Sequence, residues 1–86
     1  MHTVELLETA LATAERLGYH VRHEWLGGAG GGVCRFSGRK WLFVDLALST
    51  PDQLDQAVGA LRGDPAVHVI ECPAELGSLL DQRKAA

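Results

Sequence analysis

Glycines carry the most distinctive chemistry of this chain, in the run Gly27-Gly28-Ala29-Gly30-Gly31-Gly32. Successive glycine N–H groups can turn inward around an anion, as phosphate-binding loops do. Such a loop leads from a strand into a helix and is followed by a Lys-Ser/Thr pair. This run leads from one strand-like segment into another and has no such pair. Its plainer reading is a flexible hairpin loop, the ordinary use of glycine. Arg22, Arg35, Arg39 and Lys40 fall at one end of the expected sheet. Gly28, Gly30 and Gly31 together with Arg22, Arg35 and Lys40 therefore make a candidate site for a small anionic ligand. Arg22 is expected opposite Arg35, an unfavourable like-charge pair that an anion or an acidic surface would relieve.

Thiols and imidazoles come next. His20 and His23 have a metal-like spacing, but positions three apart on a strand point to opposite faces and do not chelate one ion. No metal site and no cofactor motif follows. Cys34 lies opposite His23 if the Gly-rich loop closes a hairpin in which Leu26 pairs with Gly31, and such a pair can generate a thiolate. A slip of one residue would pair Cys34 with Glu24 instead. In an apolar layer the thiol is inert, and a core role for Cys34 is the plainer reading. Cys72 precedes Pro73 at an expected helix start, where the dipole lowers a thiol pKa; the alternative is a small residue fitted into a corner. His68 sits in an apolar segment and reads as a packed residue. The chain has no Ser-His-Asp order, no paired carboxylates and no Cys-x-x-Cys. Cys34, His23 and Cys72 are the weak catalytic candidates, and the balance leans away from an enzyme.

The elements that must position these groups are legible from periodicity. Val4, Leu7, Leu11 and Ala14 give residues 4–17 a helical stripe, with Thr3 as cap and Gly18 as stop. Segments 19–26, 32–37 and 40–46 alternate and are rich in β-branched and aromatic residues, which predicts a three-stranded meander with a tight turn at Ser37-Gly38-Arg39. Thr50 and Gln53 have capping-box spacing around Pro51, and Leu54, Ala57, Val58 and Leu61 form the stripe of a second helix ending at Gly63. Residues 66–71 read as a fourth strand, and Pro73 opens a short last helix to about Leu80. The expected fold is α+β, in the order α-β-β-β-α-β-α. It has a mixed four-stranded sheet, a meander plus one parallel strand, with the two longer helices on one face.

Alternation then sorts the side chains. Tyr19, Val21, His23, Trp25, Cys34, Phe36, Trp41 and Phe43 are expected under the helices. Leu26, Val33, Leu42, Val44 and Leu46 are expected on the opposite face as an exposed aliphatic patch, a candidate interface for homodimerisation. The alternative is that the third helix folds back over that patch.

With 86 residues and 9.2 kDa, one domain spanning 1–86 is expected, burying roughly 63% of the unfolded chain's surface. Net charge is −3, with residues 16–40 at +4 and residues 41–86 at −4. That balance, together with aromatics expected under the helices, disfavours nucleic acid. No apolar run approaches the roughly 18 residues of a membrane span, and no leader pattern is visible at Met1-His2-Thr3. Two cysteines and no export signal make a cytoplasmic location the expectation.

The stretch Gly32-Val33-Cys34-Arg35-Phe36-Ser37-Gly38-Arg39-Lys40-Trp41-Leu42-Phe43-Val44-Asp45, followed by Leu48-Ser49 and an Asp/Gln-led helix, resembles short bacterial proteins with a Gly-Gly-x-Cys-x-x-x-Gly-Lys-like hairpin. That resemblance implies no activity. The same hairpin is similar to the one before the active-site helix of ImmA/IrrE-type metallopeptidases. Those enzymes need His-Glu-x-x-His on the next helix, where this chain has Asp55-Gln56-Ala57-Val58-Gly59, so no zinc site carries over.

Three functions remain: a non-catalytic module acting by self-association or by binding a protein, an anion binder at the Gly-rich loop and basic end, and a thiol-dependent protein.

Overall fold

The computed structural model describes residues 2–81. It contains α1 (Thr3–Arg16), β1 (Tyr19–Glu24), β2 (Gly32–Phe36), β3 (Arg39–Asp45), α2 (Thr50–Arg62), a 3-10 helix (Pro65–Val69) and α3 (Ala74–Asp81). The α+β class, the three helices and a mixed sheet agree with expectation, but the parallel pair is β1 with β3 rather than β3 with residues 66–71.

Local chemistry sets the boundaries. At the start of α1, His2 occupies the cap and donates its N–H to the Glu5 carboxylate at 3.3 Å. The helix ends where Gly18 takes a φ of 97°. Ser49 caps α2, accepting from the Asp52 N–H at 3.3 Å, one residue earlier than the Thr50 cap expected. Ser37 and Gly38, with φ of 53° and 74°, form the two-residue turn joining β2 to β3. Positive φ at both central positions gives the turn a twist that matches the strands.

Two features of the topology differ from expectation. Residues 66–71 are not a strand. Asp64 accepts the Ala66 N–H at 2.9 Å and Pro65 presets the next φ, so the segment coils into a 3-10 turn that buries Val67 and leaves Val69 exposed. The sheet is also not a meander. Its order is β1-β3-β2, with β3 in the centre, parallel to β1 and antiparallel to β2.

That order fixes which face is buried. Tyr19, Val21 and His23 pair with Lys40, Leu42 and Val44, while Leu42 and Lys40 pair with Val33 and Arg35. Paired residues share a face. The helices lie on this side, where Leu42 and Val44 are each 1% exposed and pack with Leu7, Leu54, Val58 and Leu61. Ala10, Ala14 and Ala57 are fully buried at the junction. Their small side chains let the helices approach a Leu/Val surface closely, with no room for Trp or Phe.

Trp41, Phe43, Cys34 and Phe36 therefore lie on the opposite face. The expected dimer patch is corrected with them. Leu42 and Val44 are core, Leu26 and Leu46 are half-buried in the turns after β1 and β3, and only Val33 is well exposed, on the helix side.

The assignment is checked by urea denaturation. Leu42→Ala should cost about 2–5 kcal/mol, whereas Phe36→Ser should stay within about 0.5 kcal/mol. Leu42→Lys should leave no folded domain, because it buries an unpaired charge. The opposite ranking would place the core on the aromatic face.

Candidate functional site

Three places concentrate polar chemistry or unpartnered surface, and the order of the strands separates them.

The first is the Gly-rich loop between β1 and β2. Gly27, Gly28 and Gly30 have φ of 68°, 81° and 91°, which turns successive N–H groups inward. The anion they meet is Asp45, at the end of β3 and fully buried. Its Oδ1 accepts the N–H groups of Leu26 and Ala47 at 3.0 and 2.9 Å. Its Oδ2 accepts those of Gly28 and Gly30 at 2.8 and 3.3 Å. Burial pushes this carboxyl upward, and the four N–H donors outweigh it, holding the group below the ordinary Asp value. Gln56 of α2 joins the cluster, its Oε1 3.5 Å from the Asp45 N–H. At Gly31 a Cβ would stand 1.9 Å from the Phe43 carbonyl oxygen, so no other residue fits.

The candidate anion site is thereby corrected. The N–H groups of Gly28 and Gly30 are spent on the chain's own carboxylate, and Gly31 is pressed against β3. Of the basic residues, Arg22 lies on the opposite face and is paired with Glu24 at 2.8 Å. Asp45 was missed in the sequence. The signal for it is an acid at the end of the apolar run Trp41-Leu42-Phe43-Val44, where a strand gives way to a turn.

Arg35 and Lys40 do stay together, in a second place. They are cross-strand partners on the helix side, lining a cleft of about 500 Å3 between β2 and α2 with Tyr19, Gln56 and Asp64. Lys40 is matched: its Nζ donates to the Leu17 carbonyl at 2.8 Å, lies 3.5 Å from Asp64 and stands 4.4 Å from the centre of the Tyr19 ring. Tyr19 donates its hydroxyl to Asp64 at 2.8 Å. The Ala66 N–H and then the Tyr19 hydroxyl hold the Asp64 carboxyl low against burial, with Lys40 adding to them. Burial first, and Asp64 second, push the Tyr19 phenol up. This network locks the corner between α2 and β1. Arg35 is exposed and has no ion-pair partner among the described residues.

The third place is the open face of the sheet, which no helix covers among the described residues. Trp41 occupies its centre. The His20 ring is 4.9 Å away on β1, and the Phe43 ring stacks at 6.2 Å and 22°. Arg22, Cys34, Phe36, Trp41 and Phe43 wall a shallow, almost wholly apolar depression of about 330 Å3. Phe36 is 67% exposed. The Trp41 Nε1–H is buried without an acceptor, which costs about 1–3 kcal/mol for an unmet donor.

The thiol candidates do not converge. Cys34 is on the open face of β2, while His23 is on the helix-side face of β1 with β3 between them, so the dyad does not form. Cys72 is half-buried against the core beside Gly77, and both thiols are free. Among the described residues no three His, Cys, Asp or Glu side chains gather as metal ligands, and no helix is long and apolar enough to cross a membrane.

The Asp45 cluster has a pH signature. Its depressed pKa contributes stability that is complete above the unfolded value, about 3.9, and is lost as pH falls through the folded value. Thermal stability should hold from neutral pH to about pH 5 and fall below the ordinary carboxylate range. Asp45→Asn turns an amide donor onto two of the four N–H groups. It should lower the melting temperature at pH 7 and flatten part of the acid limb, the Asp64 share remaining. An acid limb unchanged by Asp45→Asn would separate the loop from that carboxylate's charge.

No family model, curated protein or solved structure matches this chain.

Proposed function

We propose that this protein is a non-catalytic binding module that docks a protein partner on the open, aromatic face of its sheet. The observation that carries this reading is the composition of that face: Trp41, Phe43 and Phe36 beside Cys34 and His20, with every helix among the described residues packed on the other side. Aromatic residues and Arg are the side chains enriched at interface centres, the aromatics because they bury much area for little lost rotamer freedom. The partner this face suits is an apolar protein surface. Exposed aromatics on a sheet also suit stacked bases. The charges here favour protein, since Arg22 is neutralised by Glu24, both Arg35 and Lys40 face the other side, and of the basic strand residues Arg39, opposite Phe36, alone adds an unpaired base to this face among the described residues.

Immobilised wild-type chain should retain partner proteins that Phe36→Ser/Phe43→Ser loses by tenfold or more, with both chains folded by circular dichroism. Arg35→Ser, on the other side, should retain them. A folded double variant holding the same proteins as wild type would sink this reading. Loss of retention on nuclease treatment would move it to nucleic acid.

A second reading rests on one observation. Arg35 and Lys40 stand directly opposite each other on the cleft side, and only Lys40 is matched by an acid. A small anion in the cleft would relieve that repulsion. Millimolar inorganic phosphate should then raise the melting temperature of wild type and not of Arg35→Ser; equal shifts in both would discard the cleft.

A further inference from the structure

The strand least covered by the rest of the chain is β2. It is an edge strand, bonded to β3 alone, and Val33, Cys34, Arg35 and Phe36 are all exposed. Edge strands usually carry devices against pairing with another chain. The other edge, β1, has them, with His20, Arg22, His23 and Glu24 among its six residues. β2 has no proline and one charge. From its edge and register we infer that two copies of this chain pair antiparallel through β2, joining their sheets into one of six strands with Cys34 on the two-fold axis.

The hydrogen-bonding pattern of the hairpin selects that axis. A two-residue turn at Ser37-Gly38 makes Phe36 and Arg39 a hydrogen-bonded pair, and alternation along the antiparallel ladder makes Cys34–Trp41 and Gly32–Phe43 the next ones. The backbone groups of Phe36, Cys34 and Gly32 are therefore used toward β3. Those of Val33 and Arg35 point outward, with no backbone partner in the turns and loops of the described residues.

A second β2 must set its own outward residues opposite these. Centring on Arg35 puts Arg against Arg and sends Val33 to the turn residue Ser37. Centring on Val33 sends Arg35 to Gly31, outside the strand. Centring on Cys34 pairs Val33 with the partner's Arg35 and Arg35 with the partner's Val33. Each pair exchanges two N–H···O bonds, so all the outward groups of both strands are used.

The same register sets Phe36 across from the partner's Gly32, an aromatic-on-glycine pairing that shields exposed edge backbone. Cys34 meets the partner's Cys34 at a non-hydrogen-bonded position, where Cα atoms come within about 4.5 Å. Even residues of β2 lie on the open face, so the aromatic surface would double across the axis. Pairing at this strand edge is independent of what docks on the face.

A five-residue edge buries less than a standard interface, so the dimer is expected to be weak, with a dissociation constant of roughly 1–100 µM. Sedimentation of the untagged chain under reducing conditions, at about 200 µM, should show a species of twice 9.2 kDa. Val33→Pro removes only the outward N–H, which edge strands tolerate. It should remain folded and weaken the dimer by roughly tenfold or more. Cys72→Ser chain, with β2 intact, should give a Cys34 disulfide-linked dimer within minutes of adding diamide, under conditions where Cys34→Ser chain gives none. A monomer at the highest concentration overturns the inference, as does a folded Val33→Pro that dimerises like wild type. If Val33→Pro does not fold, the diamide experiment decides: rapid linkage through Cys34 upholds the edge pairing, and its absence removes it.

Discussion

One buried carboxylate ties together the parts of this fold that have least reason to stay together. Asp45 closes β3, and its two oxygens gather N–H groups from Leu26, Gly28 and Gly30 before β2 and from Ala47 on the way to α2. A loop with so many glycines loses more conformational freedom on ordering than any other sequence. It is shaped here because an anion sits at its centre, and the chain supplies that anion itself. The shaped loop lets the chain leave β1, skip a strand position and return as β2, so that β3 slides between them. Sheet order, and with it the face each side chain occupies, depends on this cluster.

With β3 in the centre, helix width does the rest. Packed helices sit about 8–10 Å apart, close to two strand spacings of about 4.8 Å. In this chain α2 lies over β3 and touches β2, and α1 lies over the β1 side, with α3 against the helices rather than the sheet. The helical layer therefore thins toward β2, and all but the first residue of that strand are exposed. That strand is open along one edge, with the cleft toward α2 on one side of it and the aromatic depression on the other. A polar network of Tyr19, Asp64 and Lys40 closes one wall of that cleft, where β1 and β3 meet the end of α2. The covered and uncovered halves of the sheet thus follow from the same packing geometry.

Much of this was legible in the sequence. Helical periodicity and the Ser49-Thr50-Pro51 start found α1 and α2 to within a residue or two, and alternation found β1, β2 and β3. What failed was the phase between strands. Alternation orders residues along one strand, while the relation between two strands depends on which of them pair. Assuming that β1 neighbours β2 put Trp41 and Phe43 beside Tyr19 and Val21, when β3 pairs with β1 one step out of that phase. Size argued the same wrong way, because the bulkiest apolar residues were assigned to the core, although Ala10, Ala14 and Ala57 leave room only for Leu42 and Val44. The fourth strand failed for a local reason: Asp64-Pro65 is a helical start, and it outweighed the β-branched residues behind it. The N–H donors of the Gly-rich loop go to Asp45, a partner in β3 that spacing along the chain does not reveal.

The phase between β1 and β3 also decides which surface is left for function. With the aliphatic residues inside, Leu42 and Val44 are structural and need no partner. With the aromatics outside, Trp41, Phe43 and Phe36 stand on a surface that no helix among the described residues reaches. A rearrangement of α3 to cover them would expose Leu76 and Leu80, both buried against the other helices, and so would exchange one apolar surface for another. α3 therefore does not close the open face at equal burial. Pairing through β2 extends that face without covering it, so self-association at the edge and docking on the face are compatible. A partner meeting the dimer would find a floor twice as wide, with Phe36, Cys34 and Trp41 repeated across one axis.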